Sequence, residues 1–370
     1  MTEPLDLLAR LRAWSYQRQQ LARAAPEPAA ALRAVVAVYS THPTAPLALR
    51  ARSAALDAAS FGALEQRREV VRLPAMRQSI FLLPTEIAAR VFAATRLPLE
   101  QHARRLAYAG LDGDEYARLK PLVLEAAGEP ITPSGLQAAL AMDARATMAL
   151  RVMAREGLVL RLGSSLRTDH LRWVATAAWL GQPLEDADPA AALAWLGEAY
   201  LRAYGPARVA DFAWWSGVPR RRAAAALAGV RVVDVGGGLL LPADEQAAFE
   251  RIAPLDPAAV DVVPKWDSYT MGHAPDGRQR LVDDAHLPRA YSTTDTRVGA
   301  TAGDGLPLVL QGGRAVASWS HRFAGQRLAV TVTPFADDAL PPASYAGLFE
   351  EIGRLLDASA VEVVAGAAAS

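Results

Sequence analysis

The sequence of 370 residues contains no cysteine. Disulfide bonds, thiolate catalysis, iron–sulfur clusters and cysteine-ligated zinc are therefore excluded. It also contains no run of about 18 apolar residues free of charge, so we expect no membrane-spanning helix. The first residues, MTEPLDLLARLRAW, lack the basic and apolar segments of a signal peptide. Together these absences predict a cytoplasmic protein.

Excess charge is absent too, because 39 basic residues balance 39 acidic ones. This balance argues against a protein that coats nucleic acid through a general positive charge, but it allows a local basic face. Lysine is almost missing, since only Lys120 and Lys265 occur and every other basic residue is arginine. Arginine binds phosphate groups in a bidentate manner. GC-rich coding is an alternative explanation, because alanine is also very abundant.

Helical periodicity followed by a strand-like hairpin occurs three times along the chain. Such an order of elements is typical of a winged helix-turn-helix. The first unit has helices over 5–24, 29–38 and about 45–56, then two strands within 69–83. The second has helices over 131–140 and 144–156 and strands over 157–162 and 166–173. The third has helices over 209–216 and 220–228 and a hairpin over 230–241.

After Pro242 the pattern changes to short β-like runs separated by turns, at 260–263, 306–310, 315–319 and 327–333. A closing helix is predicted over 341–357, and a frayed tail from 365. The fold class is therefore α+β, with tandem winged helix-turn-helix units on a helical scaffold and a C-terminal β-rich domain. We place the boundaries at 1–118, 119–185, 186–245 and 246–370.

Arginine-rich positions in these units are candidates for DNA contacts. Arg220, Arg221 and Arg222 begin the helix that would be the recognition helix of the third unit. Arg167 and His170 lie on the predicted wing of the second unit, where basic residues suit phosphate contacts. The alternatives are a solvated helix face for the three arginines and an ordinary exposed hairpin for the wing.

The hairpin of the first unit carries Arg77 and Gln78 beside Met76. An exposed apolar residue flanked by such side chains would probe a minor groove. In the alternative, Met76 belongs to the core.

Chemistry-bearing motifs are scarce. The six histidines show no HxH or HExxH spacing, and neither a phosphate-binding GxxxxGK[ST] loop nor a GxSxG elbow occurs, so we predict no metal and no cofactor. Asp267 follows a β-like run and lies among aromatic residues. It is a candidate catalytic carboxylate, or alternatively a cap or a buried hydrogen-bonding centre.

Five segments carry a resemblance to a known family: LRAVVAVYSTHPTAPLALRARS (32–53), RREVVRLPAMRQSIFLLPTE (67–86), AYGPARVADFAWWSGVP (203–219), VVPKWDSYTMGH (262–273) and GGRAVASWSHRF (312–323). They resemble the AlkZ/YcaQ-like family, winged-helix proteins that include DNA glycosylases acting on alkylated bases and interstrand crosslinks. The resemblance implies three tandem winged helices followed by a β-domain, with double-stranded DNA, including damaged DNA, as the partner. It implies neither a membrane nor a protein partner.

The family's catalytic Gln-x-Gln or Gln-x-Asp motif falls on Tyr39-Ser40-Thr41, followed by His42. No glutamine or carboxylate is present there. An alkylated purine is a cationic leaving group, so a water held by Thr41, with His42 as general base, would suffice, and Tyr39 would stack on a base or donate a hydrogen bond. The alternative is that these residues merely end a helix and start a turn.

The segment after the motif leads to Arg50 and Arg52, which would approach a phosphate. Two functions follow from these residues. The first is a monofunctional DNA glycosylase that hydrolyses the N-glycosidic bond of alkylated or crosslinked bases. The second is a winged-helix DNA binder or transcriptional regulator without catalysis.

Overall fold

The computed structural model describes residues 6–40, 43–163, 165–168, 170–292, 303–336 and 340–366. The N-terminal part consists of α1 (Leu7–Arg18), α2 (Pro28–Ala34), β1 (Val38–Tyr39), α3 (Thr44–Arg50), α4 (Ala58–Gln66), β2 (Val70–Pro74), β3 (Ile80–Pro84) and α5 (Thr85–Thr95). The predicted hairpin within 69–83 is confirmed as β2 and β3, which are antiparallel.

The middle of the chain repeats the order of helices and hairpin. Its elements are α6 (Ala103–Tyr108), α7 (Gly113–Ala126), α8 (Pro133–Ala139), α9 (Ala144–Arg155), β4 (Val159–Gly163), β5 (Leu171–Ala175) and α10 (Thr176–Leu180). They are followed by α11 (Pro189–Tyr204), α12 (Val209–Ser216), α13 (Arg220–Leu227), β6 (Val232–Asp234), β7 (Leu240–Pro242) and α14 (Gln246–Glu250). The predicted helices and hairpins of these two segments are all present.

Two of the three hairpins merge into one sheet. Its strand order is β1-β3-β2-β4-β5, and β2 meets β4 through the antiparallel pair of Arg72 and Arg161. The third hairpin, β6 and β7, forms a sheet of its own. The first sheet therefore connects Tyr39, on β1, with the wing predicted for the second unit.

The C-terminal part contains β8 (Val260–Val263), α15 (Ser268–Met271), α16 (Leu287–Ala290), β9 (Tyr291–Ser292), β10 (Asp304–Gly305), β11 (Leu308–Gln311), β12 (Arg314–Ala324), β13 (Arg327–Pro334), α17 (Ala346–Leu355) and β14 (Ala360–Ala365). The order in its main sheet is β14-β13-β12-β11-β8. The predicted β-rich character is confirmed. Strand β14 was not predicted, because residues 358–364 had no assignment between the closing helix and the tail expected from 365.

The N-terminal and C-terminal parts share a hydrophobic core. Leu32 and Leu49, from the first helices, are buried in the same cluster as Trp319 of β12 and Phe349 of α17. Burial of such large side chains contributes about 1.5–3 kcal/mol each. The α+β class is confirmed, while the tandem winged-helix arrangement and the domain boundaries remain predictions. Within the described ranges, no helix is long and apolar enough to cross a membrane.

Candidate active site and nucleic-acid interface

Tyr39 is fixed at the end of β1 by two aromatic rings and an arginine. Its ring centroid lies 4.4 Å from that of Phe81 on β3 and 5.6 Å from that of Trp266. Its hydroxyl oxygen accepts a hydrogen bond of 2.7 Å from Nη2 of Arg77. The ring is only half-buried. Tyr39 is therefore a rigid, partly accessible aromatic group beside a positive charge.

Ser40, the residue after Tyr39, is held by an arginine of a different strand. Its hydroxyl oxygen accepts a hydrogen bond of 2.7 Å from Nε of Arg72, on β2. Burial lowers the pKa of Arg72 to about 10. Thr41 and His42, the remaining candidate catalytic residues, lie outside the described residues. The chain resumes at Pro43, directly before α3.

The turn that carries Arg77 has a strained backbone. Arg77 and Gln78 have φ values of 53° and 59°, in the left-handed region that residues with a Cβ rarely adopt. Gln78 Nε2 donates a hydrogen bond of 2.9 Å to the carbonyl of Thr95, so its side chain supports the turn. Met76 is completely buried, so the alternative that it belongs to the core is confirmed and the prediction of an exposed wedge is wrong.

A third left-handed residue contacts the same site, since Trp266 has a φ of 57°. Each such residue costs about 1–3 kcal/mol and persists only where the surrounding structure enforces it. Strained residues of this kind cluster at functional sites. Other left-handed residues, including Gln20, Ala22 and Arg23, lie elsewhere in the described chain, so the strain supports a functional site here only together with the contacts of Tyr39.

Two arginines and two further rings extend the site. The guanidinium of Arg77 lies 4.1 Å from the ring centroid of Trp214, on α12. Arg278 lies 5.1 Å from the same ring and 3.8 Å from Tyr291. Burial lowers the pKa of Arg278, and the charge of Arg77 lowers it further, although Tyr291 acts in the opposite direction. In the described part of the chain, Nε and Nη2 of Arg278 are buried without a hydrogen-bond partner.

Gly217 allows α12 to approach the turn of Arg77. It ends the helix with a φ of 77°, and a Cβ on it would lie 2.9 Å from both N and Cα of Arg77. Glycine is therefore required both by backbone conformation and by the available space. The close approach places Trp214 against Arg77.

Arg52 and Asp267 form an ion pair that is completely buried. Both nitrogens of the guanidinium fork donate to the carboxylate at 2.8 Å. One carboxylate oxygen also accepts from the backbone N–H of Tyr269 and so caps α15. The pair thus positions the segment that carries Trp266. A phosphate contact by Arg52, or proton transfer by Asp267, would require this pair to break.

Two other predicted DNA contacts are bound to the C-terminal part. Arg50 Nη2 donates to Glu351 of α17 at 2.8 Å. Arg167 donates to the carbonyl of Leu356 at 2.6 Å and to Gln326 at 2.7 Å. These partners hold both arginines away from the role of free phosphate ligands. His170 is exposed.

Arg220, Arg221 and Arg222 form the first turn of α13, and all three are exposed. Ala223, Ala226 and Leu227 bury the opposite face of the helix against α11 and α12. Cations at a helix N-terminus oppose the helix dipole and cost about 0.3–1 kcal/mol each. The structure therefore presents three positive charges where helix stability alone would disfavour them.

Sequence reasoning predicted Tyr39 as a catalytic candidate and Arg77 and Gln78 as DNA contacts on the hairpin. The structure brings Arg77 against Tyr39, whereas Gln78 binds the carbonyl of Thr95. Sequence reasoning did not predict that Arg278, Tyr291 or Trp214 belongs to the site. Segments 203–219 and 262–273, which carry part of the family resemblance, contain Trp214 and Trp266 and were the available signal for these two residues. No comparable signal marked Arg278, because its contacts depend on chain segments that are distant in sequence.

The model of the AlkZ-like DNA glycosylase family matches residues 32–358, so the chain belongs to that family. The fold is similar to that of the DNA glycosylase AlkZ from Streptomyces sahachiroi, with a TM-score of 0.74 and 20% sequence identity. The similarity covers 97% of this chain and 99% of that chain. No curated protein matches the sequence. The family resemblance is confirmed, and membership of the family supports a DNA glycosylase-like function.

Proposed function

We propose that the protein is a monofunctional DNA glycosylase that hydrolyses the N-glycosidic bond of alkylated or crosslinked bases in double-stranded DNA. The reaction would take place where β1 ends, at Tyr39, Thr41 and His42. The observation that carries the proposal is the setting of Tyr39 among Phe81, Trp266 and Arg77, with strained backbone on both sides. We further propose that the three helix–hairpin units are winged helices and that the protein acts in the cytoplasm.

The chemistry follows from the charge of the substrate. A purine alkylated at N7 or N3 is cationic and leaves as a neutral base, so it needs little acid catalysis. The protein must then position a water molecule and tolerate an oxocarbenium-like sugar. Thr41 would orient the water, and His42 would take its proton as the water attacks the anomeric carbon. Tyr39 supplies an aromatic face for stacking on a base.

The positive groups are assigned to the DNA backbone. Arg77 lies beside Tyr39 and would bind a phosphate next to the damaged nucleotide, whereas Arg278 is buried against Trp214 and Tyr291 and would add positive charge without a direct contact. Arg220, Arg221 and Arg222 would contact phosphates farther along the duplex, because they are exposed at the start of α13. Phosphate contacts release counterions, so affinity for duplex DNA would fall with salt, with a log–log slope of about −0.9 per phosphate.

The decisive experiment is single-turnover base release from a duplex that contains 7-methylguanine. His42→Ala should slow release by about 10²–10⁴-fold, the loss typical of a missing general base. Tyr39→Phe keeps the ring but removes the hydroxyl that accepts a hydrogen bond from Arg77, and we expect a smaller decrease in the rate of base release. Tyr108→Phe is the matched control, because Tyr108 is a highly exposed tyrosine. Equal rates for His42→Ala and the wild type would exclude His42 as the base.

The same preparation tests the alternative of a binder without catalysis. That function predicts salt-dependent binding of duplex DNA without base release from any alkylated substrate. Replacing Arg220, Arg221 and Arg222 together by alanine should weaken binding across all sequences and make the salt slope shallower. Affinity that does not change with salt would reject both functions.

A further inference from the structure

A second group of basic side chains lies on the middle part of the chain. It consists of His102, Arg105, Arg151, Arg155 and Arg161, and we call it the arginine cluster. Helix α6 packs against α9 and so brings Arg105 towards Arg151 and Arg155. Arg105 Nη1 lies 3.1 Å from Nδ1 of His102, and Arg155 Nη1 donates to the carbonyl of Arg151 at 3.0 Å.

Arg161 joins the cluster from the sheet. It lies on β4, directly opposite Trp173 on β5, and its guanidinium is 4.2 Å from the centroid of the tryptophan ring. Its charge interacts with Arg155 and Arg151. The cluster is thus continuous from α6 through α9 to β4.

Within the described ranges, this cluster has no anionic partner for its central arginines. Burial lowers the pKa of Arg155 and Arg161 to about 10 each, and the charges of neighbouring arginines lower it further. Burial, followed by the charges of Arg105 and Arg155, lowers the pKa of His102, although Glu156 acts in the opposite direction. Glu156 accepts hydrogen bonds from Lys120, at 2.5 Å, and from the hydroxyl of Tyr116.

Donor groups in the cluster are also unused. In the part of the chain that the structure describes, Nε of Arg155, Nε of Arg161 and Nε2 of the buried His102 have no hydrogen-bond partner. Partly buried cations and donors without partners are unfavourable in a folded protein. The arrangement therefore suits an anion that accepts several hydrogen bonds at once.

We propose that the arginine cluster binds a phosphate group and that the DNA backbone supplies it. Arginine forks match phosphate oxygens in bidentate geometry. Strand β4 lies three strand spacings, about 14 Å, from β1, which carries Tyr39. The cluster would thus hold a phosphate at a distance from the damaged nucleotide. That DNA supplies the phosphate, which we call the DNA half of the proposal, rests on the proposed function. That the cluster binds phosphate, the phosphate half, does not.

The test compares two double variants. Arg105→Ala with Arg151→Ala removes two exposed members of the cluster, so folding should be preserved. Arg118→Ala with Arg354→Ala removes the same charge from exposed positions elsewhere. With undamaged duplex, the cluster variant should bind more weakly and have a salt slope shallower by about 0.9 for each phosphate that it no longer binds. The control should stay close to the wild type.

A second measurement uses inorganic phosphate without DNA. Phosphate at constant ionic strength should raise the unfolding temperature of the wild type and of the control more than that of the cluster variant. If only this difference is seen, the site takes a free phosphate and the DNA half is overturned. If neither measurement separates the two variants, the whole proposal is overturned. A wild type that fails to bind duplex rejects the proposed function, while the phosphate measurement still decides the cluster.

Discussion

The buried ion pair between Arg52 and Asp267 gives a sharp test of how this fold positions its site. Asp267→Asn keeps the size of the side chain and retains an oxygen that can cap α15. It removes the negative charge, however, and leaves the guanidinium of Arg52 buried and uncompensated. Breaking a buried pair in this way typically costs about 3–5 kcal/mol. We expect a loss of this size in the free energy of unfolding.

An exposed pair of equal length provides the matched control. Arg33 and Glu86 also lie 2.8 Å apart, but their side chains are 57% and 50% exposed. Glu86→Gln makes the same change from carboxylate to amide, and exposed pairs contribute about 0–1 kcal/mol. Distance alone would predict equal effects for the two substitutions. Burial predicts that the effect at Asp267 is several times larger.

Urea denaturation followed by tryptophan fluorescence measures both variants. The reasoning would be refuted if Asp267→Asn lay within about 1 kcal/mol of Glu86→Gln, since burial makes the two pairs differ by several kcal/mol. Adding Arg52→Met to Asp267→Asn removes the isolated charge, and part of the stability should return. A double variant no more stable than Asp267→Asn alone would show that packing, and not charge, causes the loss.

Two further predictions concern His273 and Gly217. Burial, followed by the charge of Arg280, lowers the pKa of His273 to about 3, whereas an unfolded histidine has a pKa of about 6.5. The unfolded chain therefore takes up a proton first, and the free energy of unfolding should fall as the pH drops below about 6.5, by up to about 1.4 kcal/mol per pH unit. In His273→Gln, the midpoint of urea denaturation should change less with pH between 6.5 and 4.5 than in the wild type. An equal pH dependence in the variant would show that His273 is not its cause. Gly217→Ala should destabilise by at least about 1–2 kcal/mol because of its positive φ, whereas Gly62→Ala, inside α4 with open space around its Cβ, should raise the unfolding temperature slightly.

Local signals explain why several elements could be predicted from the sequence. Helix α12 was expected over 209–216 and has those bounds, because Gly217 ends it in a left-handed conformation. Helix α13 follows Pro219, whose fixed φ suits the start of a helix. Strand β8 also has its expected bounds, 260–263. In each case the residues that begin or end the element lie next to it in the chain.

Features that depend on distant segments were not predictable in this way. The helix expected over about 45–56 ends at Arg50, and Arg52 then turns inward to meet Asp267, 215 residues away. The joining of two hairpins in one sheet rests on a single pair, Arg72 and Arg161. Arg52 and Asp267 were predicted to be functional because of their positions along the chain. Their burial is a property of the tertiary structure alone.

The charges around Tyr39 also limit which substrates the proposed reaction would accept. Among the described residues, the groups bonded to or stacked at this site include Arg77 and Arg278 and no carboxylate. Excision of an ordinary base creates a cationic sugar and an anionic leaving group, so it demands both an acid and a negative charge beside the sugar. With an alkylated base, the positive charge only moves from base to sugar, and nearby guanidinium groups oppose the ground state and the transition state alike. Because catalysis depends on the difference between those two states, a site of this composition favours lesions that already carry a positive charge.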